Sequence, residues 1–272
     1  MRTTFLAFAL AVATTGAQAA TIFNANVFSA AGADAASIQS EVDGFRAALG
    51  GLNPNTPENF AGGRREINWD GVPDSLADPN AFPGDFFNGS TPGRARGIEF
   101  VATGETTGFE VSSSTASGVP ILFDEPDEYS FFSPERIFRP VGGDSFDVLF
   151  FDPTDQTSPA TTTGLGVVFT GLEEEGQAVM SFFGEDGELL LSKAVTPSGL
   201  TGLSFLGVLF DVPVAKVSIF NALGGDEPVM DDFIFGEPTR AAVAPVPLPA
   251  AAWMLLAGLA GLATLSRRRA AA

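Results

Sequence analysis

The chain contains neither cysteine nor histidine among its 272 residues. Without cysteine there is no disulfide framework, no thiol nucleophile and no zinc-thiolate site, so the fold must hold without cross-links. Without histidine, Ser-His-Asp catalysis, imidazole base chemistry and His-ligated transition metals are excluded as well. Basic residues are scarce too, with 14 Lys and Arg against 33 Asp and Glu. Arg2, Arg240, Arg267, Arg268 and Arg269 lie toward the two ends, which leaves 9 basic residues against all 33 acids, a net of −24, for Thr21 to Thr239. Such a surface repels nucleic acid and anionic lipid and attracts cations. The chemistry that remains is that of carboxylates, or of oxygen ligands around a hard cation.

Apolar volume is plentiful, above all in 26 phenylalanines, so the acidity does not imply disorder. Two terminal stretches set the organisation. At the start, Arg2, the apolar run Phe5 to Val12 and the small-x-small step Ala17-Gln18-Ala19 read as a secretory signal peptide over residues 1–20. At the end, Val246-Pro247-Leu248-Pro249-Ala250 leads into an apolar run through Trp253, Leu255, Leu259 and Leu265, and then into Arg267-Arg268-Arg269. A helix from Leu248 to Ser266 would be about 28 Å long, enough to cross a hydrocarbon core. The arginines would stop transfer on the cytoplasmic side and leave the preceding chain outside. The expected layout is therefore a signal peptide, an ectodomain over 21–236, a Pro/Ala linker over 237–249, a transmembrane helix over 250–266 and a basic tail over 267–272.

This ending resembles the PEP-CTERM family of sorting signals, in the variant whose motif reads Val-Pro-Leu-Pro-Ala. The resemblance rests on Val246 to Ala250, on Trp253, on Gly258 and Gly261 within the apolar run and on the three arginines, about a tenth of the chain. It implies processing by an exosortase, a membrane-embedded transpeptidase of Gram-negative bacteria, and a role at the cell surface or in an exopolysaccharide and biofilm matrix. Physically, two prolines bracketing Leu248 keep the segment extended and unpaired, a shape that a protease cleft accepts.

Between the ends, Ile38, Val42, Phe45 and Leu49 form one apolar stripe at helical spacing, with Asp34 as N-cap and Gly50-Gly51 as stop. From Ile98 to Phe235 the pattern is nine short β-rich runs separated by Gly, Pro, Asp or Ser, with alternation at Phe146, Val148 and Phe150. Glu185-Asp186-Gly187-Glu188 reads as a hairpin turn. We expect an all-β fold, an antiparallel β-sandwich of jelly-roll type with one N-terminal accessory helix. The stretch from Leu203 to Phe235, with Val229-Met-Asp-Asp-Phe-Ile-Phe235, is similar to the closing strands of galactose-binding-like jelly rolls. Related modules hold a structural calcium near such acids, which makes Asp231 and Asp232 candidate calcium ligands. Neighbouring side chains on a strand face opposite ways, so both reach one ion only through a bulge or a backbone carbonyl.

The densest polar and aromatic cluster runs from Arg64 to Asp74. Arg64, Arg65, Trp69 and Asp70 could hold a sugar, the indole stacking on its apolar face and the charged groups bonding hydroxyls. The other reading is a strand with Ile67 and Trp69 inward and Arg64 paired to an acid. The phrase from Glu66 to Phe100 is also similar to a recurring bacterial extracellular module. The acid runs Asp124 to Glu128, Asp152 with Asp155, and Glu173 to Glu175 read as solvated loops. Gly142-Gly143-Asp144 and Gly224-Gly225-Asp226 read as turns, since no helix follows them.

Three functions are compatible with these features. The first is a non-catalytic exported surface or matrix protein that binds carbohydrate. The others are a carbohydrate-active enzyme using paired carboxylates, and a structural matrix protein or adhesin without ligand. The expected partners are an exosortase, the membrane before processing and a polysaccharide, with no nucleic acid.

Overall fold

The computed structural model describes residues 23–225 and 227–241. The stretches read as a signal peptide and as a sorting motif (Val246–Ala250), the apolar run and Arg267–Arg269 lie outside the described residues. Among the described residues, no helix is long and apolar enough to cross a membrane.

Short strands with apolar residues at alternate positions must bury one face, and here they do so in two antiparallel sheets. The strands are β1 (Ala25–Gly32), β2 (Arg64–Ile67), β3 (Ile98–Ala102), β4 (Gly108–Val111), β5 (Phe138–Val141), β6 (Ser145–Phe150) and β7 (Ala160–Thr170). They continue as β8 (Val179–Phe183), β9 (Leu189–Ala194), β10 (Leu203–Val214), β11 (Lys216–Phe220), β12 (Val229–Gly236) and β13 (Thr239–Arg240). One sheet runs β1-β10-β7-β12-β5-β4, with β2 also on β12 and β13 on β7, and the other runs β3-β6-β11-β8-β9. All nine expected strands from Ile98 onward are present, with ends shifted by a few residues. The hairpin turn closes as read, with Gly184 N–H donating to the Glu188 carbonyl at 3.0 Å and Gly187 at φ 77°.

One continuous core lies between the sheets. Phe146, Val148, Phe150, Met180, Phe182, Val217 and Ile219 from the smaller sheet meet Phe138, Leu165, Val167, Phe169, Leu206, Val208, Phe233 and Phe235 from the larger. Fully burying each such side chain contributes about 1.5–3 kcal/mol. The molecule is thus an all-β, sandwich-like body.

The expected helix is α1 (Ala35–Leu49), capped where Asp34 accepts the Ser37 N–H at 2.9 Å. Its stripe of Ile38, Val42, Phe45 and Leu49 packs on Val168, Leu203, Phe205 and Ile234, covering the outer face of the larger sheet. Two glycines, Gly166 on β7 and Gly207 on β10, sit directly opposite each other and leave a hollow for the Phe45 and Phe205 rings. A methyl group on Gly166 would stand 2.6 Å from the Phe45 ring, so the close approach of the helix requires glycine there.

The packed body continues past Gly236, where the linker was expected to begin. Glu237 is buried against Arg65, and Thr239 and Arg240 pair with Thr161 and Ala160 of β7. Asp152 and Asp155, read as a solvated loop, instead bind the Arg240 guanidinium, each at 2.8 Å.

Candidate functional site

The four residues read as a sugar site do not form one. Arg65 donates bidentately to Glu237, from Nε and Nη2 at 2.7 Å each, and both side chains are essentially without exposure. Arg64 donates to Glu66 at 2.6 Å and to the Gly50 carbonyl. Trp69, at φ 63°, turns its indole into the core. There it stacks on Phe138 with centroids 4.4 Å apart and meets Phe82, Phe87 and Phe233 edge to face. Its Nε1–H donates to the Asp231 carbonyl at 2.6 Å. An enclosed indole has no face to offer a sugar, so the stacking role is corrected to that of a core anchor. Ile67 and Trp69 both point inward as the other reading had it, although β2 ends at Ile67 and Trp69 follows the strand, and Asp70 alone of the four is exposed.

Asp231 and Asp232 come together for a reason the sequence left open. On β12, Met230 pairs with Phe169 and Phe233 with Val167, so two residues stand opposite Val168 alone, and the strand bulges. The bulge lets both carboxyls reach the same partner, the Ser133 hydroxyl, at 3.2 Å from Asp231 and 2.6 Å from Asp232. Asp231 also accepts the backbone N–H groups of Phe132 (2.6 Å) and Ser133 (3.2 Å). Asp232 accepts Arg46 Nη2 at 3.1 Å, and the same guanidinium is held by Glu66.

Both carboxyls are buried. Burial first, and then the adjacent Asp232, push Asp231 well above the ordinary carboxylate range; burial also raises Asp232. Desolvation and the neighbouring carboxyl thus disfavour the charged form of Asp231 most, whereas Asp232 faces the Arg46 guanidinium, which works against its own upward shift.

A calcium ion takes about six to eight oxygen ligands with free lone pairs. Here the carboxyl oxygens already receive two N–H groups, a hydroxyl and a guanidinium, a donor set that does not fit the ion. Among the described residues, no group of three or more His, Cys, Asp or Glu side chains gathers in one place.

The bulge matters for what it holds. Ser133 is fixed by Asp231 and Asp232, and two residues later Glu135 N–H donates to Asp70 at 2.8 Å. Arg136 is itself buried and donates to the Ser112 carbonyl at 2.8 Å and to Asp74. Asp74 also accepts the Ser114 hydroxyl at 3.2 Å. The segment from Ser133 to Arg136 is therefore tied at both ends, and its outer side forms one wall of an open groove of about 430 Å³. Asp70, Ser114, Pro134, Glu135 and Arg136 line it. Burial holds the Asp70 carboxyl above its ordinary value. The groove presents two carboxylates and a hydroxyl, with the Arg136 guanidinium buried behind them on Ser112 and Asp74, and among the described residues no aromatic one lines it. It can bond hydroxyl-rich ligands through polar groups on a rigid frame.

Sequence reasoning found Asp70 and missed Ser114, Glu135 and Arg136. These reach the groove from the loop after β4 and the segment before β5, far from Asp70 in sequence, and no local motif marks them. Comparison of the chain with protein-family models, with curated proteins and with solved structures finds no match to any of them.

Proposed function

We propose that this chain is an exported, non-catalytic protein of the cell surface or extracellular matrix, processed by an exosortase at Val246–Ala250, whose groove at Asp70 binds carbohydrate. The export half rests on the sequence at both ends. The binding half rests on one observation, the open groove where Asp70, Ser114, Glu135 and Arg136 converge on a segment tied down by two buried carboxyls. A jelly-roll reading of the body belongs here too. Eight successive strands take the order β5-β12-β7-β10 in one sheet and β6-β11-β8-β9 in the other, two interleaved Greek keys, which supports it.

The test is retention of the protein on immobilised exopolysaccharides. The wild type is retained, and Asp70→Ala lowers affinity about tenfold or more, with unchanged circular dichroism. Equal retention of both would overturn the groove as the binding site, and no retention of the wild type would overturn the binding role. A second reading, hydrolysis by paired carboxylates, is favoured by the presence of Asp70 and Glu135 in the same groove. Release of reducing sugar that disappears with Glu135→Gln would establish it in place of the first.

A further inference from the structure

An exposed sheet edge is a row of unpaired N–H and C=O groups, and proteins blunt it with charges, prolines, bulges or short strands. Most edges here are blunted in these ways. β9 carries Lys193 and pairs through a bulge, β3 and β4 are five and four residues long and carry Glu99 and Glu110, and β13 has two residues. β1 differs. Its eight residues, Ala-Asn-Val-Phe-Ser-Ala-Ala-Gly, contain no charge and no proline, and pair with β10 in unbroken register from Ala25↔Phe210 to Gly32↔Leu203.

The alternation of an antiparallel ladder shows which groups are free. Asp211 N–H donates to the Asn24 carbonyl at 3.2 Å, so residues of even number bond to β10. Ala25, Val27, Ser29 and Ala31 then turn their N–H and C=O groups outward, and among the described residues nothing bonds to these groups. Val27 adds an apolar side chain that is 42% exposed.

We propose that β1 is a self-association edge, on which a second copy of this chain lays its own β1 antiparallel about a two-fold axis at Phe28. In that register Val27 faces Ser29 and Ala25 faces Ala31 of the other copy, each pair exchanging both backbone bonds. Identical antiparallel strands complete each other by symmetry, so the contact closes at two copies. Charge limits where two copies can meet. The chain carries a net −19, which drives copies apart over most of the surface, whereas β1 carries no charge and its pairing sets no like charges directly opposite. Phe28 is already seated edge to face on Phe45, 5.4 Å between centroids, so the strand is held in place before a second copy arrives.

The experiment measures the mass of the full 272-residue chain in detergent by light scattering, in salt high enough to screen its charge. Wild type is expected as a dimer. Ser29→Pro removes an outward N–H and leaves the β10 ladder intact, so it should melt as wild type does and dimerise about thirtyfold more weakly, because symmetry removes two bonds at once. Val27→Lys is a second variant that needs no backbone change, and it should weaken the dimer most at low salt. A monomeric wild type overturns the proposal. So does a dimer unaffected by either substitution, since association through the C-terminal run or any other surface would persist in both.

Discussion

At the scale of single residues, the buried polar groups around the β12 bulge decide most. Asp231 has its folded pKa raised above the unfolded value of 3.8, so the folded state binds its proton more tightly. Its contribution to stability is complete below that value and declines as pH rises through the raised one. Asn copies the protonated form and keeps an acceptor for the N–H groups of Phe132 and Ser133. Asp231→Asn should therefore melt at or above the wild-type temperature at neutral pH and lose that decline, as followed by thermal denaturation from pH 4 to 8. Asp231→Ala instead orphans both N–H groups and should cost about 2–3 kcal/mol at pH 4, a cost that shrinks as pH rises through the raised value.

Trp69 makes a separate prediction. If the indole is a core anchor, its fluorescence, read in a Trp253→Phe background, is blue-shifted, resists acrylamide and does not respond to any sugar that binds the groove. Trp69→Ala should cost about 3–5 kcal/mol in chemical denaturation. What the sequence revealed at this scale was residue type but not orientation. Arg64, Arg65 and Trp69 look alike as a surface sugar clamp and as buried structure. The choice between them lies in Glu66, Glu237 and a ring of phenylalanines, some of them distant along the chain.

At the scale of elements, the helix and the strands after Ile98 were legible because their periodicity is local: a stripe at three and four residues for α1, alternation for β6 and β11. The elements missed lacked that signal. β1 has one β-branched residue and β5 contains Pro140. The bulge at Asp231–Asp232 was unreadable because it is a relation between two strands. Packing of α1 gives a direct test. Gly166→Ala forces a methyl group against Phe45 and should destabilise by about 1–3 kcal/mol in denaturant titration, whereas Gly71→Ala, which meets nothing within 4 Å, should not. The end of the body can be tested in the same way. Truncation after Gly236 leaves Arg65 buried without Glu237 and should cost about 3–5 kcal/mol, while truncation after Ala241 keeps the pair.

For the whole molecule, the core must replace the disulfides that the sequence cannot form, and buried phenylalanines from two sheets and a covering helix supply much of it. The claim on which the rest depends is delivery. The most direct measurement is the intact mass of the protein recovered from the producing cells, fraction by fraction. A species in the surface or extracellular fraction that lacks the first 19 or 20 residues and the three terminal arginines is the expected result. The full-length 272-residue chain, recovered unprocessed from the cytoplasm, would contradict it.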